Sequence, residues 1–336
     1  MSHDDSRLAE LMSAIDPAIT PADQAPTPRS IALLQRIKAE QQIASRPAIT
    51  RTKWRGWRTS IASSVAATLV ILTLVLIPLL GGTSRAEAFT PAPLNFTGPT
   101  PPVSEVLGMA EDKLMQTHST PNAQRAASYT GWYLDVSSGR NQKTKTAISP
   151  QVIRFTWAED RSGHAIVTAG KPYWADGNTG DVPASEAPAP GALLSDTVYR
   201  PGEFDIPSVD APGTTPADMH ATLTALGMPN DPDSFAVIES IQQLLTLWTL
   251  DNKQQAALLS LLLHRSDIIV NGTTIDRGGR EVIGISANAS DRGIRNTLLI
   301  SAATGRIIAI ETTRTTRDGD VPAGAVIAYT LWKDIN

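Results

Sequence analysis

A chain of 336 residues is long enough for two or three folded units, and its net charge of −4 gives no basic excess with which to hold nucleic acid. It contains no cysteine. Thiolate catalysis, Cys-ligated zinc, redox sensing and disulfide staples are therefore excluded, and each folded unit must be held by its core alone.

Near the N-terminus, Leu8, Leu11, Met12 and Ile15 recur at i, i+3, i+4 and i+7, which predicts a short amphipathic helix ended by Asp16 and Pro17. A Pro- and Ala-rich stretch follows over 17–28, and Ser30 then caps a second predicted helix carrying Ile31, Leu34 and Ile37. Two helices of this size bury no core unaided, so both stripes are candidate contact surfaces for a partner. Next come Arg46, Arg51, Lys53, Arg55 and Arg58, with Trp54 and Trp57 among them. Bases and indoles in this mixture suit the headgroup layer of a bilayer, and Trp54, Arg55, Trp57 and Arg58 are its candidate interface residues.

Residues 61–80 carry no charge. As an α-helix they span about 30 Å, the hydrocarbon thickness of a bilayer. Ser63, Ser64, Thr68 and Thr73 can return their hydroxyls to preceding carbonyls, so nothing polar is left bare in lipid. Only Arg85 follows closely, and the positive-inside bias places the N-terminus in the cytoplasm. Ala86, Glu87 and Ala88 offer a small-x-small cleavage site, but the leading segment is far too long for a signal peptide, and an uncleaved anchor is expected.

Pro91, Pro93, Pro99, Pro101 and Pro102 then predict a stiff, extended stalk that acts as a spacer. A helix is expected over 103–117, with Val106, Leu107, Ala110 and Leu114 on one face, and strands over 129–136, 151–157 and 165–173. Residues 176–216 hold seven prolines and seven acidic residues against the single base Arg200, and read as a long irregular connection. Helices follow at 216–226, over Phe235 to Trp248, and at 252–265, the last so rich in leucine that it must be buried. Five strands come next, at 267–275, 281–289, 294–301, 306–315 and 324–333, with glycine in the first three turns as hairpins require. The fold class expected is α+β: a curved antiparallel sheet with helices on its concave face, the leucine-rich helix plugging the groove.

Chemistry is hard to find in this pattern. His3, His118, His164, His220 and His264 include no ligand-pair spacing on one element, and the protease, esterase, lactamase, dinucleotide and phosphate-loop signatures are all missing. His264 is expected to complement the carbonyls at the end of the leucine-rich helix, and His164 to be a surface residue. Glu159 and Asp160 are adjacent, so their side chains are expected to diverge rather than converge on a substrate. No metal, cofactor or enzymatic activity is expected.

Trp132 with Tyr133, the leucine-rich helix at 253–265, Val270 followed by 274–280, and the segment LLISAATGRIIAIE at 298–311 together resemble a family of uncharacterised actinobacterial single-pass membrane proteins often found beside extracytoplasmic-function sigma factors. The segment LMSAIDP at 11–17 resembles the cytoplasmic start of such proteins. Where that family carries an Asp-Pro-Glu-Thr-like turn before its last strands, this chain has Ser301, Ala302, Ala303 and Thr304, so the turn carries over and its acidic side chains do not. The curved-sheet reading is also similar in shape to lipoprotein-carrier domains and to the periplasmic regulator that shields an anti-sigma factor.

The layout expected is a cytoplasmic segment over 1–58, a transmembrane helix over 59–82, a Pro-rich stalk over 83–101 and an extracytoplasmic domain over 102–336. The function expected is that of a non-enzymatic, membrane-anchored regulatory or interaction protein of the cell envelope, anti-sigma-like in its signalling. Its partners would be the bilayer, a cytoplasmic sigma factor or other regulator, and an envelope ligand. The alternative is an extracytoplasmic carrier of lipid or another apolar ligand. With no cysteine, the zinc-binding form of a cytoplasmic anti-sigma domain is excluded.

Overall fold

The computed structural model describes residues 90–117, 123–134, 147–175, 177–319 and 321–333. The uncharged run at 61–80, the basic flank before it and the two N-terminal stripes lie outside these residues. Among the described residues no helix is long and apolar enough to cross a membrane.

Four helices form among them: α1 (Val103–Gln116), α2 (Pro216–Ala225), α3 (Ser234–Leu247) and α4 (Asn252–Ser260). Their starts are written in the sequence. Thr215 accepts from the Asp218 amide ahead of Pro216, Asp233 accepts from the Ala236 amide, and Asp251 with Gln254 forms a reciprocal capping box. Such caps are worth about 1 kcal/mol each.

The strands are β1 (Ala126–Tyr133), β2 (Ala147–Ile148), β3 (Gln151–Trp157), β4 (Gly163–Ala169), β5 (Tyr173–Trp174) and β6 (Leu193–Tyr199), then β7 (Ile269–Ile275), β8 (Glu281–Ala289), β9 (Ile294–Ser301), β10 (Ile307–Arg314) and β11 (Val326–Trp332). Nine of them make one antiparallel sheet in the order β6-β4-β3-β1-β11-β10-β9-β8-β7, while β2 and β5 pair separately. The first and last long strands meet at its centre, Tyr129 opposite Trp332. The expected meander and its hairpins are present, and the α+β class with it.

The core lies between this sheet and α3. Ile238, Ile241 and Leu244 of α3 have no solvent exposure, and they pack in one cluster with Tyr129, Ile285, Leu298, Ile310 and Trp332. The helix rests against β1 and β3 on one side and β8 and β9 on the other. A straight rod touches both flanks of so broad a sheet only if the sheet curls towards it. Two indoles pin the end of the helix: Trp332 donates to the Leu245 carbonyl and Trp157 to that of Leu247, each at 2.9 Å.

The element filling the groove is therefore α3, and the leucine-rich helix α4 packs instead on α1 and α2. Its Asn252 and Gln255 explain that placement. Buried Arg306 donates to the Asn252 side chain at 2.5 Å and to the Leu250 carbonyl at 2.7 Å, Asn252 donates to the Leu114 carbonyl, and Gln255 accepts from the Ile307 amide. The knot ties α1, α4 and the start of β10 together, and leaving any member unpaired would cost more than the bonds return. Helix α4 also stops five residues before the expected 265, because Leu261 and Leu262 bond three residues back and tighten the chain into turns. At the turn 301–304, Ser301 accepts from the Ala303 and Thr304 amides without any carboxylate. Gly305 follows at φ +75°, where a Cβ would fall 2.1 Å from the Ala110 carbonyl of α1.

Residues 176–216 are not wholly irregular. Their middle forms β6, which pairs with β4 and ends the sheet. Alternation was hidden there because Leu193, Leu194 and Val198 are exposed on an edge rather than buried on one face. Since α3 supplies the core, Leu244→Ala should lower stability by about 2–5 kcal/mol in urea titration. A loss below about 1 kcal/mol would show that α3 is not a packed element.

Candidate functional site

The face of the sheet opposite α3 is also apolar. Val282, Leu299, Ile308 and Ala309 are buried there beneath Leu94 and Phe96. The residues expected to form a free stalk thus lie, over 92–98, on the sheet. Proline keeps this segment extended, as read from the sequence, but extension serves packing here rather than spacing. Thr97 and Thr273 of β7 exchange two backbone hydrogen bonds of 2.8 Å, and the Thr274 hydroxyl donates to the Asn95 carbonyl at 2.6 Å. Gly284 makes the close approach possible, since a Cβ on it would lie 2.3 Å from the Phe96 ring.

The hairpin between β7 and β8 carries a latch over this strap. Asp276 accepts from the amides of Gly278 and Arg280 and from the Arg280 guanidinium, which also reaches the carbonyls of Trp332 and Ile308. A loop fixed in this way holds Arg277 in one place. Its Nε donates to Glu311 of β10 at 2.7 Å, its Nη2 donates to the Ala92 carbonyl at 2.8 Å, and its guanidinium lies 5.2 Å from the Tyr329 ring centre. Glu311 accepts in addition from the Leu94 amide. The two charges therefore hold a carbonyl and an amide of the strap at once.

Both partners are nearly out of water, with side-chain exposures of 14% and 5%. Burial pushes the Glu311 carboxyl above the ordinary carboxylate range, with the Arg277 charge pulling the other way. Around them Trp132 stacks on Tyr329, Tyr173 donates to the Tyr329 hydroxyl at 3.3 Å, and Ile148 and Val326 close the cluster. Burial also raises both phenols, so they stay protonated at neutral pH. An ion pair placed in this way clamps the segment at 92–94 to the sheet. An open cleft of about 660 Å³ runs beside it between residues 92–97 and β7.

The candidate contact residues Leu8, Leu11, Met12, Ile15, Ile31, Leu34 and Ile37, and the interface residues Trp54, Arg55, Trp57 and Arg58, lie outside the described residues. Glu159 pairs with Arg125 at 2.8 Å while Asp160 accepts from the Ser162 amide in its own turn, so the two do diverge. His164 meets Asp196 across β4 and β6 at 2.6 Å. The helix-end role expected of His264 falls to its neighbour Arg265, which donates to the carbonyls of Leu261 and Pro232. The latch itself was missed. Its signal is faint: one acid, Glu311, within β10 after four apolar residues, and one aromatic, Phe96, among prolines.

No family model matches the chain, and no curated protein matches it in sequence. Among solved structures it is similar to the complex of MucA and MucB from Pseudomonas aeruginosa, with a TM-score of 0.26 and 10% identity over 70% of this chain and 56% of that one. The chain thus spans little more than half the length of that neighbour. A likeness at that level fixes neither fold nor function.

Arg277→Met would strip Glu311 of its counter-charge and the Ala92 carbonyl of its donor, for a loss on the order of 3 kcal/mol at pH 7. An acid whose folded pKa lies above its unfolded one contributes stability that is full at low pH and lost as pH rises through the folded value. Removing Arg277 raises that value further, so the deficit of the variant should shrink as pH falls towards 4.5. Urea midpoints across pH check this, and a deficit that does not vary with pH would contradict it.

Proposed function

We propose that this chain is a membrane-anchored, non-enzymatic regulatory or interaction protein of the cell envelope, with residues 1–58 in the cytoplasm, 59–82 in the bilayer and 102–336 outside. The observation that carries the reading is the strap. Residues 92–98, a short way past the uncharged run, are built into the outer face of the sheet by Phe96, Thr97 and the Arg277–Glu311 latch. A ligand or partner that loosens this face acts on the chain beside the membrane, as transmission to a cytoplasmic partner requires. The resemblance read from the sequence makes a sigma factor the first candidate, met by the stripes at 8–15 and 31–37.

The carrier reading is weaker, since the groove that would hold an apolar ligand is filled by α3.

Co-purification from the native host tests the proposal. A sigma factor or other cytoplasmic regulator should accompany the intact chain, be lost with Leu11→Asp, and the chain should stay with membranes in carbonate. An empty pull-down, or one unchanged by Leu11→Asp, overturns the regulatory reading. Release of the chain by carbonate overturns the anchor.

A further inference from the structure

The strap at 92–98 is held in the manner of a bound peptide. Its polar grip is on main chain: Arg277 takes the Ala92 carbonyl, Glu311 takes the Leu94 amide, and Thr273 takes both the N–H and the C=O of Thr97. None of these contacts depends on which side chain the strap carries. Side chains are read at two places, where Leu94 and Phe96 lie on Val282, Leu299, Ile308 and Ala309. Two glycines shape the seat. A Cβ on Gly272 would stand 2.5 Å from the Thr97 carbonyl, and one on Gly284 would stand 2.3 Å from the Phe96 ring.

The fit is incomplete. Thr273 turns its N–H and C=O to the strap, so those of Ile275, two residues on, point the same way. An antiparallel continuation would set Asn95 against Ile275. The Asn95 carbonyl goes instead to the Thr274 hydroxyl, and the strap holds the ladder at one residue only. The cleft of about 660 Å³ is the gap that this departure leaves between residues 92–97 and β7, with exposed Ile275 along it. A segment that keeps the aromatic anchor and stays extended ahead of it would gain the ladder bonds that the strap forgoes.

We infer that the strap occupies, in cis, a docking groove for an extended segment of a partner protein. That segment carries an aliphatic residue, an aromatic residue two positions later over Gly284, and next to it a residue paired with Thr273. The strap is then an internal competitor that keeps the groove closed until such a segment replaces it. A second copy of this chain would bring only the same strap with the same single-residue pairing, and so gains nothing over the one in place. The inference rests on the reading above and names the ligand that it leaves open. Its test does not involve the cytoplasmic stripes, so a failed pull-down leaves the groove standing, and an empty groove leaves the anchored regulator standing.

The test uses the full-length protein in detergent and a labelled, capped peptide, Ala-Pro-Leu-Val-Phe-Thr-Gly, which is the strap sequence with valine at the place of Asn95. Phe96→Ala in the protein empties the aromatic seat and weakens the competitor. Fluorescence polarisation should show saturable binding to Phe96→Ala that is at least tenfold tighter than to the wild type, whose strap competes at high effective concentration. Bound peptide should also slow exchange of the Thr273 amide in that variant. Adding Gly284→Ala to Phe96→Ala fills the notch after the ring that it would strike has gone, and should abolish binding without unfolding the sheet. Equal binding to wild type and Phe96→Ala, binding that survives Gly284→Ala, or no binding up to millimolar peptide would each overturn the inference. A wild-type dimer that the peptide dissolves would overturn it in favour of strap exchange between two copies.

Discussion

A sheet whose two faces are both apolar must be covered twice. Helix α3 covers one face in a way that soluble α+β domains share, with aliphatic side chains set into the curve of the strands. The other face, over β8 to β11, is covered by something less regular: the chain segment at 92–98 on one part and the β2–β5 pair on the other. Four buried aliphatic side chains beneath Leu94 and Phe96 would otherwise meet water, and the burial of each is worth about 1–3 kcal/mol. The segment at 92–98 is thus part of the fold.

The polar groups follow from that constraint. A strap without a ladder on both sides leaves carbonyls and amides to satisfy, and Arg277 of the β7–β8 hairpin and Glu311 of β10 do so while neutralising each other. Buried pairs of this kind add little net stability and much definition, since removal of one partner strands the other. On the far side of the sheet Arg306 plays the same part for Asn252 and Leu250. The two arginines hold helices and strap to a sheet that would otherwise grip them only through non-directional apolar contact.

Most of the fold was legible in the sequence because most of it obeys local rules. Strands β3, β8 and β9 fall on the expected residues, and the glycine turns join the expected neighbours. The failures share one cause. Strand β6 exposes the side chains that would reveal its period, the leucines of α4 say that it is buried but not against what, and the prolines before α1 specify extension without saying whether an extended segment is free or docked. Burial partners are set by tertiary structure, and Phe96 over Gly284 cannot be read from either residue alone.

Hydrogen exchange at two amides tests most directly the claim that the strap belongs to the sheet. Thr97 and Thr273 each donate to the carbonyl of the other, so in the full-length chain both should exchange about as slowly as Val282 and Leu299 beneath Leu94 and Phe96. Exchange of Thr97 at the rate of an open chain, with Val282 and Leu299 still protected, would contradict the account.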